Sequence, residues 1–306
     1  AAQSACTHQG RGMSVDAVPV ESLRALGVRR STPSSGLLGE LLRSKTFVVG
    51  ALILLFWIVS AIFGYDFVPF SPRAENFEAV NQAPSAAHWF GTDQLGRDML
   101  SRVITGARDI LVICPVATIL GTVLGTTLGL IMGYFRGWVD EVVSRFVEAF
   151  LALPLVVLGI LGVTALGKGT STLILVIAIV FTPLIARTVR AAVLQERELD
   201  YVDAARLRGE RAPYIMFVEI LPNILSPIVV EFTVRLGYAV FAVAALSFLG
   251  FGIQPPSPDW GVDIAANFGE LPAGFWWEVL FDALALASLV VAINLITDSI
   301  EAVIDQ

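Results

Sequence analysis

The amino-acid sequence predicts an all-α integral membrane protein with six spanning helices. Two observations carry this. The chain of 306 residues is 56% hydrophobic and 15% charged, whereas soluble domains carry about 25% charged residues. Six apolar runs also approach or exceed the about 20 residues a helix needs to cross a hydrocarbon core of about 30 Å. The net charge of −7 hides an asymmetry, because every Lys and Arg lies at or before Arg235. The remainder holds only acids: Asp259, Asp263, Glu270, Glu278, Asp282, Asp298, Glu301 and Asp305. The basic residues gather near span ends, where they set membrane orientation, and no nucleic-acid partner is expected.

Residues 1–45 form a polar tail rich in Ser, Gly and Pro, with Arg24, Arg29, Arg30, Arg43 and Lys45. This reads as a flexible cytoplasmic segment with a short amphipathic helix over Leu37–Leu42. Met13 is the first methionine, and residues 1–12 are expected to be an addition ahead of the natural start. No secretory leader is expected, since the first long apolar run begins only near Phe47 and is long enough to span. The body, 46–306, has its spans near 47–64, 110–134, 142–166, 172–193, 223–251 and 276–300. Basic residues before the first span place the amino terminus inside, and six crossings return the carboxy terminus to the same side. The loop 194–222 is then cytoplasmic, in keeping with Arg187, Arg190, Arg197, Arg206, Arg208 and Arg211.

The loop 65–109 is assigned outside although it holds Arg73, Arg97, Arg102 and Arg108; Glu75, Glu78, Asp93, Asp98 and Asp109 are the expected acidic partners nearby. In the second span Gly121, Gly125, Gly129 and Gly133 recur every four residues, a stripe along which another helix can approach closely. Pro115, Pro154, Pro183 and Pro227 are candidate kink points, each lacking a backbone donor. Trp260, Trp276 and Trp277 suit an interfacial aromatic belt.

Several candidate sites are weighed beside plainer readings. Cys6 and Cys114 are read as free thiols, in no disulfide framework or metal site. His8 and His88 are the only histidines and form no metal or acid–base cluster, so no metal site and no catalytic residue are predicted. Gly162–Lys168 nearly spells a phosphate-binding loop, but Gly169 follows where a hydroxyl residue is needed, and a membrane helix precedes it rather than a strand. Glu231 and Arg235 lie four apart in the fifth span and share a face. Intramembrane charges are functional candidates because burying one is costly; with Asp282 and Asn294 they are assigned to the translocation path, and a self-neutralising structural pair stays open for Glu231–Arg235. Glu148 is a further candidate, or a partner of Arg145.

The stretch Tyr201–Pro222 is an island of charge between apolar runs. Leu199–Arg208 suits a short helix, Gly209 can end it in a left-handed cap, and Pro213 prevents simple continuation. Apolar Val202, Ala205 and Leu207 suit a groove on another protein, with a solvated linker as the alternative. Asp203-Ala204-Ala205, Gly209 and Leu221-Pro222 resemble the EAA loop of ABC-importer permeases. His88-Trp-Phe-Gly-Thr-Asp-Gln-Leu-Gly-Arg-Asp98 resembles the external signature of the dipeptide/oligopeptide branch, including Gly91, Thr92, Asp93, Gly96, Arg97 and Asp98. Leu246–Gly261 resembles that branch's SLSFLG…QPP…WG segment. The chain is thus similar to the "C"-type permease subunit of a peptide-family importer.

The resemblance implies a six-helix type I ABC importer permease in the bacterial cytoplasmic membrane, heterodimeric with a homologous permease. It also implies two ATPase subunits holding ATP and Mg, an extracytoplasmic substrate-binding protein, and no cofactor on this chain. Tyr201, Val202, Asp203, Ala204, Ala205, Leu207, Arg208, Gly209 and Glu219 become the implied ATPase-coupling residues, so the chain itself is no enzyme. Three departures from the family pattern are noted: Asp203 replaces a frequent Glu, Glu219 a frequent His, and Asp282-Ala283 a frequent Pro-Gly. In addition, Val243 and Ala245 stand where many relatives carry a Glu. The cargo stays open among dipeptides, oligopeptides, glutathione, nickel chelates and haem. An ion-coupled secondary transporter using Glu231, Arg235 and Asp282 is the alternative, and a non-transporting scaffold a third.

Overall fold

The computed structural model describes residues 37–304; the reading of 1–36 as a tail, with Cys6 and His8, lies outside them. After a short helix α1 (Leu37–Arg43), the body is built from α2 (Lys45–Phe67), α3 (Met99–Phe135), α4 (Gly137–Leu151), α5 (Leu155–Leu166) and α6 (Thr170–Glu196). There follow α7 (Asp200–Leu207), α8 (Leu225–Phe248), α9 (Trp260–Asn267) and α10 (Trp277–Ile304). Among the described residues there is no strand, only an isolated bridge between Thr92 and Asp98. Five helices, α2, α3, α6, α8 and α10, are each long and apolar enough to cross a membrane, and the bent pair α4–α5 makes six if counted as one span.

α3 is the spine. It begins at Met99, well before the expected Ile110, because Asp98 caps it: Asp98 Oδ2 accepts from Ser101 N at 2.9 Å. Hydropathy hides this first portion since it carries Ser101, Arg102, Thr105 and Arg108, yet the first three are buried. Further along, the glycine stripe lies against α6. A Cβ at Gly125 would stand 2.7 Å from Ile185 Cβ, and one at Gly129 2.7 Å from Val189 Cβ. Only glycine lets the two backbones come so close.

The third expected span is not one straight helix. It breaks at Ala152–Pro154, and the two halves meet at 94°. Pro154 supplies no N–H and drives Leu153 out of helical backbone, which is sufficient cause. Arg190 of α6 holds the near half through two bonds to Asp140, 2.5 and 2.6 Å. Glu148 does meet Arg145, at 3.4 Å on an exposed face.

Candidate functional site: a short helix at one end, a buried polar cap at the other

The short helix α7 forms where Asp200 and Asp203 occupy its first turn and Arg206 its last, each charge favourable to the helix dipole. Gly209 adopts φ +80° just past its end, the left-handed cap that favours glycine. The helix is amphipathic, but its apolar face turns inward. Val202 and Ala205 are fully buried (0%) in the chain's own core, whereas Leu207 is 90% exposed. The expectation that Val202, Ala205 and Leu207 together form a docking face is therefore corrected: two apolar residues at i, i+3 anchor α7 to its own protein. What remains outside is Asp203, Ala204, Leu207, Arg208 and Gly209.

α7 is fastened to its surroundings by three polar links. Tyr201 donates to Glu196 Oε1 at 2.9 Å and accepts from Asn223 Nδ2 at 3.2 Å. Burial and the neighbouring Glu196 carboxylate push the Tyr201 hydroxyl up to about 12. Arg208 donates to Glu219 Oε1 at 2.8 Å, so the departure at Glu219 ties the end of α7 to the segment that follows. That segment, Ile215–Ile220, is a π-helical turn with Ile215 and Ile220 buried, leading through Leu221–Asn223 into α8. Arg197 Nη1 donates to the carbonyls of Gly133 and Tyr134, which binds the base of the α7 loop to the end of α3.

The opposite end is a cap made from residues 68–98, α9 and the start of α10. Asp93 Oδ1 accepts from Leu95 N and Arg97 N at 2.9 Å each, and its Oδ2 from Arg97 Nε at 2.6 Å. Thr92 Oγ1 accepts from Gln82 N at 2.9 Å and donates to Ala79 O. Gly91 and Gly96 have positive φ, and a Cβ at Gly96 would fall 1.8 Å from Asn76 O. His88 Nδ1 meets Asp98 Oδ1 at 2.8 Å. Gly91, Thr92, Asp93, Gly96, Arg97 and Asp98 of the external motif are thus spent on holding the loop, while Trp89 stands 69% exposed.

Arg102 does not pair within its own loop as expected. It reaches Asp263 on α9, Nε to Oδ2 at 2.8 Å with a second bond from Nη2 to Oδ1, and also donates to Pro72 O at 2.7 Å. Both partners are 1% exposed. Sequence spacing could not reveal this pairing across 161 residues. The belt reading is corrected for two of its tryptophans: Trp260 and Trp277 are buried, donating to Val103 O at 2.8 Å and Thr92 O at 3.1 Å, while Trp276 is exposed.

The four path candidates separate. Arg235 and Glu231 pair on α8, Nε to Oε1 at 2.6 Å, with Thr188 Oγ1 donating to Glu231 Oε2 at 3.3 Å. Asn294 lines a groove of about 410 Å³ between α8 and α10, beside Tyr238, Asp298 and Glu301. Asp282 is instead wholly buried in the chain's own interior, with no hydrogen-bond partner for either oxygen among the described residues. The phosphate-loop lookalike lies on α5 and the turn after it, with Lys168 over the Phe251 ring.

An all-helical set of apolar spans, with a buried polar cap at one end and a half-exposed amphipathic helix at the other, is the architecture of a multi-pass membrane protein, and its likeness to known proteins makes it a permease of the type I ABC importer fold. The chain belongs to the binding-protein-dependent transport system inner membrane components, whose family model matches residues 125–306. The N-terminal TM domain of oligopeptide transport permease C matches residues 36–84. The dipeptide transport system permease protein DppC of Escherichia coli K12 is 40% identical over 270 residues, covering 86% of this chain and 89% of the relative. DppC of Bacillus subtilis 168 is 34% identical over 266 residues, covering 87% and 83%. A putative peptide transport system permease protein of Brucella suis biovar 1 is 37% identical over 266 residues, covering 87% and 89%. Among solved structures, a chain of the MetNI methionine ABC transporter in inward-facing conformations matches with a TM-score of 0.56 at 22% identity, covering 68% of this chain and 98% of that one. That likeness concerns the fold alone. None of these relatives is named as an ion-coupled carrier, and that alternative gains no support from them.

Proposed function

We propose that the chain forms half of the translocation path of an ATP-driven peptide importer in the bacterial cytoplasmic membrane. The relatives' names support a peptide cargo. In this reading the α7 end and both termini are cytoplasmic and the cap is external, facing a substrate-binding protein. A homologous permease supplies the other half of the path, and two ATPase subunits hold ATP and Mg. Hydrolysis belongs to those subunits.

The observation that carries the reading is the division of α7. One face is locked into the permease through Val202 and Ala205, and the other leaves Asp203, Ala204, Leu207 and Arg208 for a groove on the ATPase. Closure of an ATPase dimer around ATP would move α7 as a rigid handle, because its anchors are buried. The motion would pass through the π-helical turn into α8, which carries Glu231, Arg235 and one wall of the Asn294 groove. Nucleotide can drive this only by favouring one bundle conformation over the other. Glu231 is engaged by both Arg235 and Thr188, an arrangement that suits a fixed structural pair better than a coupling ion site.

Co-purification tests the proposal. An ATPase retained by the wild-type chain, and lost with Asp203→Lys or Gly209→Pro while the permease stays monodisperse, is the expected result. Full solute uptake by the chain alone without ATP would overturn it.

A further inference from the structure

Between α2, α3, α8 and Ile293 of α10 lies a groove of about 460 Å³ that neither the cap nor the α7 coupling reading uses. Leu54, Ile58 and Ala61 of α2, Leu111 and Pro115 of α3, and Val240 of α8 line it. Arg108 is the one charged residue of the lining, and it stands at the end nearer the cap. Its guanidinium is exposed and has no ion pair among the described residues. The adjacent carboxylate, Asp109, is engaged instead with Ser257 Oγ. Arg108 lies over the ring of Tyr65, 5.9 Å from its centroid, near the end of α2. Such stacking uses the face of the guanidinium and leaves its edge donors for an anion.

We propose that this groove holds one acyl chain of a phospholipid whose phosphodiester sits on Arg108. Three features select this occupant. The ligand must be apolar along its length and anionic at one end, since the groove offers a single cation above an otherwise apolar wall. The volume is within the range of about 300–1,000 Å³ typical of small-molecule sites. The outward residues of α2 around the opening, Leu55, Val59 and Ile62, are exposed and apolar, which places the mouth in lipid. Arg108 and Tyr65 then occupy the boundary level where amphipathic side chains meet headgroups. The site would wedge α2 against α3 and α8.

The test uses the full chain with its co-purifying partners in membranes containing phosphatidylglycerol that bears a photoactivatable group midway along one acyl chain. After illumination, adducts are expected on residues 54–62 and 111–115. Arg108→Gln should lower that labelling about tenfold, the effect of losing one charge-assisted contact, and Arg108→Lys should restore most of it. Ala61→Phe, which fills the groove, should abolish it. Size-exclusion profiles establish that each variant is folded, and Arg108→Gln alters only an exposed side chain. Labelling unchanged by both Arg108→Gln and Ala61→Phe would overturn the proposal. So would a photo-cross-linking residue at Ile58 that captures the second permease in place of lipid.

Discussion

The cap and the α7 region both carry runs of residues that resemble permease signatures, but they spend those residues in opposite ways. In the cap, Thr92, Asp93, Arg97, Asp98 and Arg102 all find partners inside the chain and are buried. At α7, two residues are buried as anchors, while Asp203 and Arg208 keep much of their side chains in solvent. A motif whose polar groups are all internally satisfied maintains a shape. A motif that leaves charge and one large apolar side chain outside is not used up by the fold, and the proposed function gives that surface to an ATPase. The same kind of sequence signal thus marks architecture at one end and, in the proposed function, an attachment point at the other.

The largest expected effect is at the cap. Arg102→Leu leaves Asp263 buried without its partner, and breaking a buried pair from one side costs about 3–5 kcal/mol. Thermal unfolding of the purified chain in detergent should show a marked fall in Tm, and Arg102→Leu/Asp263→Leu together should recover most of it. A single variant as stable as wild type would mean the cap motif is not structural, and the contrast between the two ends would collapse.

The next effect is a pH dependence confined to the cap. Asp259 caps α9, its Oδ1 accepting from Val262 N at 3.0 Å, and Ser247 is a side-chain neighbour that holds the carboxyl down only in part. Burial pushes its carboxyl up to about 7. In the unfolded chain an Asp titrates near about 3.9, so between these values the folded cap holds a proton that the unfolded chain has released. Stability should therefore fall as pH rises from about 4 to about 7 and level off above it. Asp259→Asn keeps a good cap residue and should flatten that slope. Hydrogen exchange at α9 amides measured across this range checks it; an unchanged slope in the variant would remove Asp259 as the cause.

A smaller effect belongs to the strut joining the two ends, where α3 runs from the cap to the base of the α7 loop and lies along α6. Gly125→Ala puts a methyl 2.7 Å from Ile185 Cβ. Overpacking costs about 1–3 kcal/mol, and the better helix propensity of Ala returns about 1 kcal/mol, leaving a net loss of about 1 kcal/mol. A small drop in Tm is expected, together with a larger loss of uptake, since a misaligned strut would uncouple α7 from the cap. Equal stability and uptake in the variant would show that the close approach is incidental.

Much of this was legible beforehand, for identifiable reasons. Apolar runs longer than a bilayer is thick can do little else, so α2, α6, α8 and α10 were visible. The four-residue glycine spacing announced a close helix contact, though not which helix would fill it. The start of α3 was hidden because Arg102 reads as a solvent charge until Asp263, far along the chain, neutralises it. Pro154 was visible as a possible kink, but no local rule sets a 94° bend. The direction of Val202 was also out of reach: apolar residues at i, i+3 on an eight-residue helix fit an outside groove and an inside core equally well. Only the packing of Ile215 and Ile220 beneath α7 decides between them. Asp282 was assigned to the path from its place in an apolar run, and the structure adds that it is buried in the interior.

The smallest stability effect is expected where the functional effect is greatest. Leu207 is 90% exposed and touches nothing that holds the fold, so Leu207→Asp should change stability by no more than about 0.5 kcal/mol. If α7 offers its outer face to an ATPase, the same change places a carboxylate in that groove, and the ATPase should fail to co-purify. Val202→Asp is the matched control: one helical turn and a half away, on the inner face, it buries an unpaired charge and should damage the permease itself. The two variants add the same group to the same helix and differ only in which way the side chain points. Leu207→Asp that keeps both ATPase and ATP-driven uptake would reduce α7 to a structural element, and the two ends of the molecule would then differ in degree rather than in purpose.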